Sequence, residues 1–203
     1  MNKKEALSII IKGAEEYHKN LENKNLLIIY EKDDVVDFIE TNFYPRNFLH
    51  LTGIEIINKK IHSSVEFYNL CLKKRISIND FSFKKDGTSI LKLQSLIQVF
   101  QIYKNAKIIG QYNNQRPYLR TNILVGNINY CMGFIKNKNY EIPNTILKED
   151  IRKITNEQFR VVRIYRKGVK EKQYIEQTYS NKKIDIDKNT LENVTSHKIY
   201  IKE

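Results

Sequence analysis

YLRTNILVGNINYCMGFI, residues 118–135, carries two runs of β-forming residues on either side of Gly126-Asn127. A Gly-Asn pair suits the positive-φ positions of a tight turn, so the stretch reads as an antiparallel hairpin. Short β-rich runs flank it: AKIIGQY (106–112) before, FRVVRIYRK (159–167) after, then QYIEQTY (173–179) and HKIYIKE (197–203) as one more hairpin. Asn, Gly and Lys turns separate them. Further upstream the period changes. Residues 2–21 place Ala6, Ile9, Ile10, Gly13, Ala14 and Tyr17 three and four apart, which predicts an amphipathic helix. NLLIIYE (25–31) and VVDFIETNF (35–43) read as strands, and Tyr44-Pro45-Arg46-Asn47 as a turn leading into FLHLTGI (48–54), a further strand ending at a glycine. SSVEFYNLCLKKR (63–75) reads as a helix capped by Ser63 or Ser64, and ILKLQSLIQVFQIYKN (90–105) as a second, opened by Thr88 or Ser89 after the turn KKDGTS (84–89). Early helices mixed with strands, followed by antiparallel strands, predict an α+β fold with helices packed on one face of a mainly antiparallel β-sheet. The expected organisation is an N-terminal helix (1–24), an α+β domain (25–166) and a basic C-terminal extension (167–203) packed on that domain.

With 203 residues, 13 Tyr and 9 Phe, the chain is long and apolar enough to bury a core. Its two cysteines, Cys71 and Cys131, form no CxxC pair; free thiols in a reducing compartment are expected. The apolar run near the amino terminus is far too short for a leader or a membrane span, and Glu15 and Glu16 follow it at once, so the expected location is the cytoplasm. The seven glycines are isolated and build no phosphate-cradling loop; the four histidines lack metal-ligand spacing. No metal and no cofactor are expected.

Thirty-five basic residues against 23 acidic ones leave a net charge of +12. That excess favours polyanionic partners, chiefly nucleic acid or anionic lipid. A lysine-rich coding bias explains it equally well. Residues 151–203 hold 13 basic and 7 acidic side chains, with Arg160, Arg163 and Arg166 recurring every three residues among Tyr165, Tyr174 and Tyr179. On a strand Arg163 opposes the other two, so the stripe is not one patch; a solvated face is its commoner reading.

Three stretches and two turns hold residue types suited to phosphodiester chemistry. In NFLHLTGI (47–54), strand alternation puts Phe48, His50 and Thr52 on one face and Leu49 and Leu51 on the other. His50 is then an imidazole beside a hydroxyl, with Gly53 permitting close approach of a phosphate. The competing reading is an ordinary strand-end histidine. In RPYLRTNILVGN, Arg116, Arg120 and Thr121 fall in a strand, where a guanidinium can grip a phosphate in bidentate fashion. In IPNTILKEDIR, Asn144 and Thr145 follow Pro143 and read as the cap of a short helix, an arrangement that also binds anions. Arg46 and Lys85, in the turns before the histidine and before the second long helix, join the substrate-binding set.

FLHLTGI, DGTSILKLQSL, TNILVGN…MGFI and YEIPNTILKEDIR, in that order, resemble the phage- and prophage-associated branch of barnase–EndoU–colicin–RelE-like nucleases, the fourth phage subtype, over roughly residues 25–165. The resemblance implies a small α+β fold with helices on a four-stranded antiparallel sheet. It also implies metal-independent RNA cleavage, in which a base and an acid activate the ribose 2′-hydroxyl and cations stabilise the phosphorane. Carried over residue by residue, it assigns catalysis to His50, Thr52, Arg120 and Thr145; Arg46, Lys85, Arg116, Thr121 and Asn144 are the expected substrate-binding residues read from the sequence itself. Glu40 and Asp86 are the carboxylates that could partner His50. The expected function is a phage- or mobile-element-encoded ribonuclease, toxin-like, acting in the host cytoplasm. The alternative is a non-catalytic anti-defence protein that binds RNA, a nucleotide or a host or phage protein with the same fold.

Overall fold

The computed structural model describes residues 1–33, 35–115, 119–196 and 198. In chain order the elements are α1 (Lys3–Asn20), β1 (Lys24–Lys32), β2 (Val35–Phe43), α2 (Asn47–Thr52), β3 (Ile54–Ile56), α3 (Ser64–Leu72), β4 (Phe81–Phe83), α4 (Thr88–Val99) and α5 (Ile102–Asn105). There follow β5 (Ile108–Tyr112), β6 (Ile123–Gly126), β7 (Cys131–Asn137), β8 (Tyr140–Leu147), a 3-10 turn (Ile151–Lys153), β9 (Thr155–Gly168), β10 (Glu176–Ser180) and α6 (Lys188–Val194).

The fold is α+β, and its large sheet is mainly antiparallel, in the order β1-β2-β8-β7-β6-β5-β9-β10. The 14-residue β9 spans both ends of that order: Thr155–Arg160 pair with β5 and Arg160–Gly168 with β1. The sheet therefore closes on itself, and one parallel bridge, Thr41↔Glu141, joins β2 to β8 at the seam. The 118–135 hairpin forms as β6 and β7, with Gly126 opposite Cys131.

Helices α1 to α5 cover one face. Asn2 and Glu5 cap α1 reciprocally, each side chain accepting the other's backbone N–H. Its buried stripe of Ala6, Ile10, Ala14 and Tyr17 enters the main core with Phe67 and Tyr68 of α3 and Leu93, Leu96 and Val99 of α4. Tyr17 is the hub. Its ring centroid lies 5.6 Å from Phe48, 5.7 Å from Tyr68 and 5.1 Å from Phe100, and its hydroxyl donates to the Tyr44 carbonyl at 2.9 Å. Aromatic pairs of this kind add to area burial and fix orientation; here they seat α2, through Phe48, against the helical layer. On the opposite face of β1 and β9, Leu27, Ile29, Val162 and Tyr165 pack under Tyr174, Ile186 and Leu191 from the C-terminal segment.

Three local expectations are corrected. FLHLTGI is not a strand: residues 47–52 form α2, because the buried residues are Phe48, Leu51 and Thr52, spaced three and four apart. The Asn47 side chain accepts the Tyr44 N–H at 2.8 Å, turning the chain after Pro45, and Gly53 ends the helix at φ +70°. IPNT does not start a helix: residues 142–145 lie inside β8, whose Glu141, Pro143 and Thr145 are alternately buried. The 90–105 helix breaks after Val99 and resumes as α5. The 197–203 strand lies outside the described residues.

Candidate functional site

The short α2 helix, held by Phe48, leaves His50 exposed on its outer side. Facing it across the helix–sheet boundary is Asn144. Residue 144 is the extra residue of a β-bulge: Gly133 pairs with Thr145 and Phe134 with Pro143, so Asn144 has no partner in β7. A bulge re-aims a side chain out of the pleat, and a proline tolerates the gap it makes in the ladder. Asn144 donates its Nδ2 to the Arg120 carbonyl at 2.6 Å. Its amide oxygen is left free to accept, and Asn144 lies close enough to His50 for its side chain and backbone to favour the charged imidazole.

Two lysines complete the group. Lys92, on the second turn of α4, donates Nζ to the His50 carbonyl at 3.2 Å. Its stem crosses Gly53, where an added Cβ would lie 2.7 Å from Lys92 Cδ. Lys84 is fixed through Ser89, which accepts its backbone N–H at 2.8 Å and donates to the Gly53 carbonyl at 2.6 Å. The electrostatics follow from this crowding. His50 titrates below its ordinary value, chiefly because the imidazole is partly dehydrated and then because Lys92 and Lys84 repel its charged form; the Asn144 hydrogen bonds oppose the shift. Burial, with Lys84 adding repulsion, brings Lys92 down to about 8, against the pull of Asp86. A hollow of about 350 Å³ opens beside this group, bordered by Asp86, Thr88, Lys92, Leu119, Thr145 and Lys148.

Gly53→Ala tests how the lysine is seated. Alanine meets both a left-handed backbone and the Lys92 stem, so a stability loss of about 1–2 kcal/mol is expected, read as a lowered denaturation midpoint. An unchanged midpoint would mean that the helix end adjusts freely.

The sequence-derived residues are distributed unevenly. His50 and Asn144 are in contact, Thr145 borders the adjoining hollow at 4% exposure, and Arg120 is tied to Asn144 through its carbonyl while its side chain is exposed. Arg120 lies in the segment before β6 rather than in a strand. Thr52 is fully buried; its hydroxyl donates to the Leu49 carbonyl at 2.6 Å. Thr121 is buried too and donates to the Phe134 carbonyl at 2.9 Å. Arg46, exposed at the start of α2, stacks over Tyr44 at 4.8 Å, and Lys85 is exposed in the turn before α4. Arg116 lies outside the described residues. Glu40 does not approach His50: it accepts from the Tyr174 hydroxyl at 3.0 Å and pairs with Lys198. Asp86 caps α4 through the Thr88 N–H and acts on Lys92.

Sequence reasoning passed over Lys92 and Lys84. Lys92 was legible as the one cation inside the apolar run ILKLQSL; Lys84 carried no comparable signal. The arginine stripe is tied down within the fold. Arg160 pairs with Glu31 at 2.9 Å, Arg166 with Glu176 at 2.5 Å, and Arg163 donates toward Ser180 and the Ile186 carbonyl.

Among the described residues, no three His, Cys, Asp or Glu side chains gather as a metal site, and no helix is long and apolar enough to cross a membrane. Both cysteines are buried and free. A family model described as phage-Barnase-EndoU-ColicinE5/D-RelE like nuclease4 matches residues 9–183. No curated protein and no solved structure matches the chain.

Proposed function

Since the chain belongs to the phage-Barnase-EndoU-ColicinE5/D-RelE like nuclease4 family, we propose that it is a phage- or mobile-element-encoded endoribonuclease that cleaves RNA without a metal ion in the host cytoplasm. The observation that carries this reading is an exposed imidazole set beside a bulged asparagine and two lysines, one of which, Lys92, borders a hollow. A phosphodiester is drawn there by Lys84 and Lys92, with Arg120, Arg46 and Lys85 along the approach. His50, neutral at pH 7 because its pKa is lowered, accepts the proton of the ribose 2′-hydroxyl as that oxygen attacks phosphorus. The lysine ammonium groups stabilise the charge that builds on the phosphorane oxygens. Lys92, charged below about pH 8, protonates the departing 5′-oxygen. Thr145 borders the hollow and Thr52 holds the end of α2, so their roles in this scheme are positional.

The test is incubation of purified protein with RNA in excess EDTA. The expected products end in a 2′,3′-cyclic phosphate on one side of the cut and a 5′-hydroxyl on the other. Stoichiometric RNA binding without turnover would overturn the nuclease reading in favour of a non-catalytic RNA- or nucleotide-binding protein.

A further inference from the structure

Arg46 is exposed and stands four residues before His50. Its backbone is already helical, φ −61° and ψ −22°, so the two side chains lie one turn apart on the outer face of α2. The Arg46 guanidinium stacks on the Tyr44 ring at 4.8 Å from its centre. Tyr44 is itself held at its backbone: its N–H donates to the Asn47 side chain at 2.8 Å, and its carbonyl accepts from the Tyr17 hydroxyl at 2.9 Å. Stacking fixes the plane of a guanidinium and leaves its fork of N–H donors at the edge. Among the described residues no hydrogen bond or ion pair engages that edge. Arg152, Arg160 and Arg166, by contrast, each end on a carboxylate. Arg46 does not serve the helix either, for its side chain makes no capping hydrogen bond.

We propose that Arg46 holds the phosphate on the 5′ side of the scissile one, so that α2 grips two consecutive phosphates of a single RNA strand. This deepens the nuclease reading and rests on it for the identity of the ligand and the direction of the strand. Four helical residues rise about 6 Å. Successive phosphates of a strand, separated by one sugar and its ester bonds, are spaced on the same scale. The free fork matches a phosphate and can engage it in bidentate fashion. Direction follows from the ends of α2. Lys92, which serves the departing 5′-oxygen in the scheme above, reaches the C-terminal end of the helix through the His50 carbonyl. Arg46 lies at the other end, on the side of the attacking 2′-hydroxyl, where the upstream nucleotide continues. A contact of this kind sets position and minimum length and carries no base preference.

The experiment is titration of the full chain with the uridine dinucleotide UpU, with the same dinucleotide bearing an added 5′-phosphate (pUpU), and with one bearing an added 3′-phosphate (UpUp). Uncleavable 2′-deoxy forms are used for binding and the ribose forms for cleavage in EDTA. The expected result is binding of pUpU at least about tenfold tighter than UpU, as for hydrogen bonds to charged groups, with UpUp gaining no comparable margin. Arg46→Gln should cut the pUpU margin to within about twofold, lower the salt slope of pUpU binding by about 0.7, the value for one phosphate contact on a single strand, and place the loss in KM rather than kcat. The substitution is on the surface and removes no cap, so the variant is expected to fold; should it not, the wild-type ranking of the three dinucleotides decides. No gain from the 5′-phosphate, an equal gain from the 3′-phosphate, or a margin that survives Arg46→Gln would overturn the second phosphate site. Equal weakening of UpU and pUpU would overturn it too, in favour of a structural arginine. Cleavage of UpU without a 5′-phosphate margin would remove this inference and spare the nuclease, whereas the margin without cleavage would do the reverse.

Discussion

Replacing His50 with alanine is expected to slow RNA cleavage by about 10²–10⁴-fold, the range for losing one general acid–base group, while leaving the fold intact. The two halves of this expectation have separate grounds. His50 projects from the outer side of α2, and the residues that anchor the helix are Phe48, Leu51 and Thr52, all buried. What the body of the protein takes from residue 50 is its backbone: the carbonyl accepts from Lys92 Nζ and from the Gly53 N–H. Alanine keeps that carbonyl, so stability should move by no more than about 0.5 kcal/mol, as for other surface substitutions. Single-turnover cleavage and a denaturant melt on the same preparation separate the effects. Wild-type cleavage by a well-folded His50→Ala protein would remove the imidazole from the mechanism. Asn144→Ala serves as a graded companion: it keeps the imidazole and loses its orientation, so its rate should fall between the two.

How far this site was legible in the sequence depends on what each residue's partners are. The α+β class came through because strand and helix periods are set by burial repeated over many residues. The β6–β7 hairpin is the clearest case, since both apolar runs form its strands, although Gly126 stays in the β6 ladder opposite Cys131 and takes no positive φ. NFLHLTGI failed because six residues are too few to separate a two-residue period from a helical one: Phe48, His50 and Thr52 fit the first, Phe48, Leu51 and Thr52 the second. Tertiary packing against Tyr17 and Tyr68 decides between them. Asn144 was picked out for a local reason, helix capping, that the structure replaces with a bulge; a bulge arises from the register of two strands and has no signature in one of them. The Glu40 suggestion rested on closeness in sequence to His50, but Glu40 is bound to Tyr174 and Lys198, both more than 130 positions farther along the chain. Lys92 escaped notice because its importance lies in what it crosses, the left-handed turn at Gly53, and no spacing rule ties those two residues together.

Lys92→Met should lower cleavage by about 10²–10³-fold, comparable to removing one charge-stabilising donor, and should also change the shape of the pH profile. In the proposed scheme, wild-type activity requires a neutral His50 and a charged Lys92. The acid limb therefore falls below the ordinary histidine range, because the His50 pKa is lowered, and the alkaline limb falls near pH 8, where Lys92 loses its proton. Bound phosphodiester stabilises both protonated forms and moves both limbs upward when the maximal rate is followed rather than kcat/KM. Methionine removes the alkaline limb near 8 and leaves the acid limb in place. Stability behaves differently. Between about pH 8 and the ordinary lysine value of 10.5, the unfolded chain binds this proton and the folded protein does not, so stability rises with pH across that window. Below pH 8 the folded protein carries a partly dehydrated ammonium group beside Lys84. Methionine has similar length and no charge, so Lys92→Met should be at least as stable as the wild type at pH 7 and should lose that alkaline rise. A variant that is both less stable and slower would point to a structural lysine. One that is equally stable, slower and without the alkaline limb would identify Lys92 as the group that supplies charge and proton to the leaving oxygen.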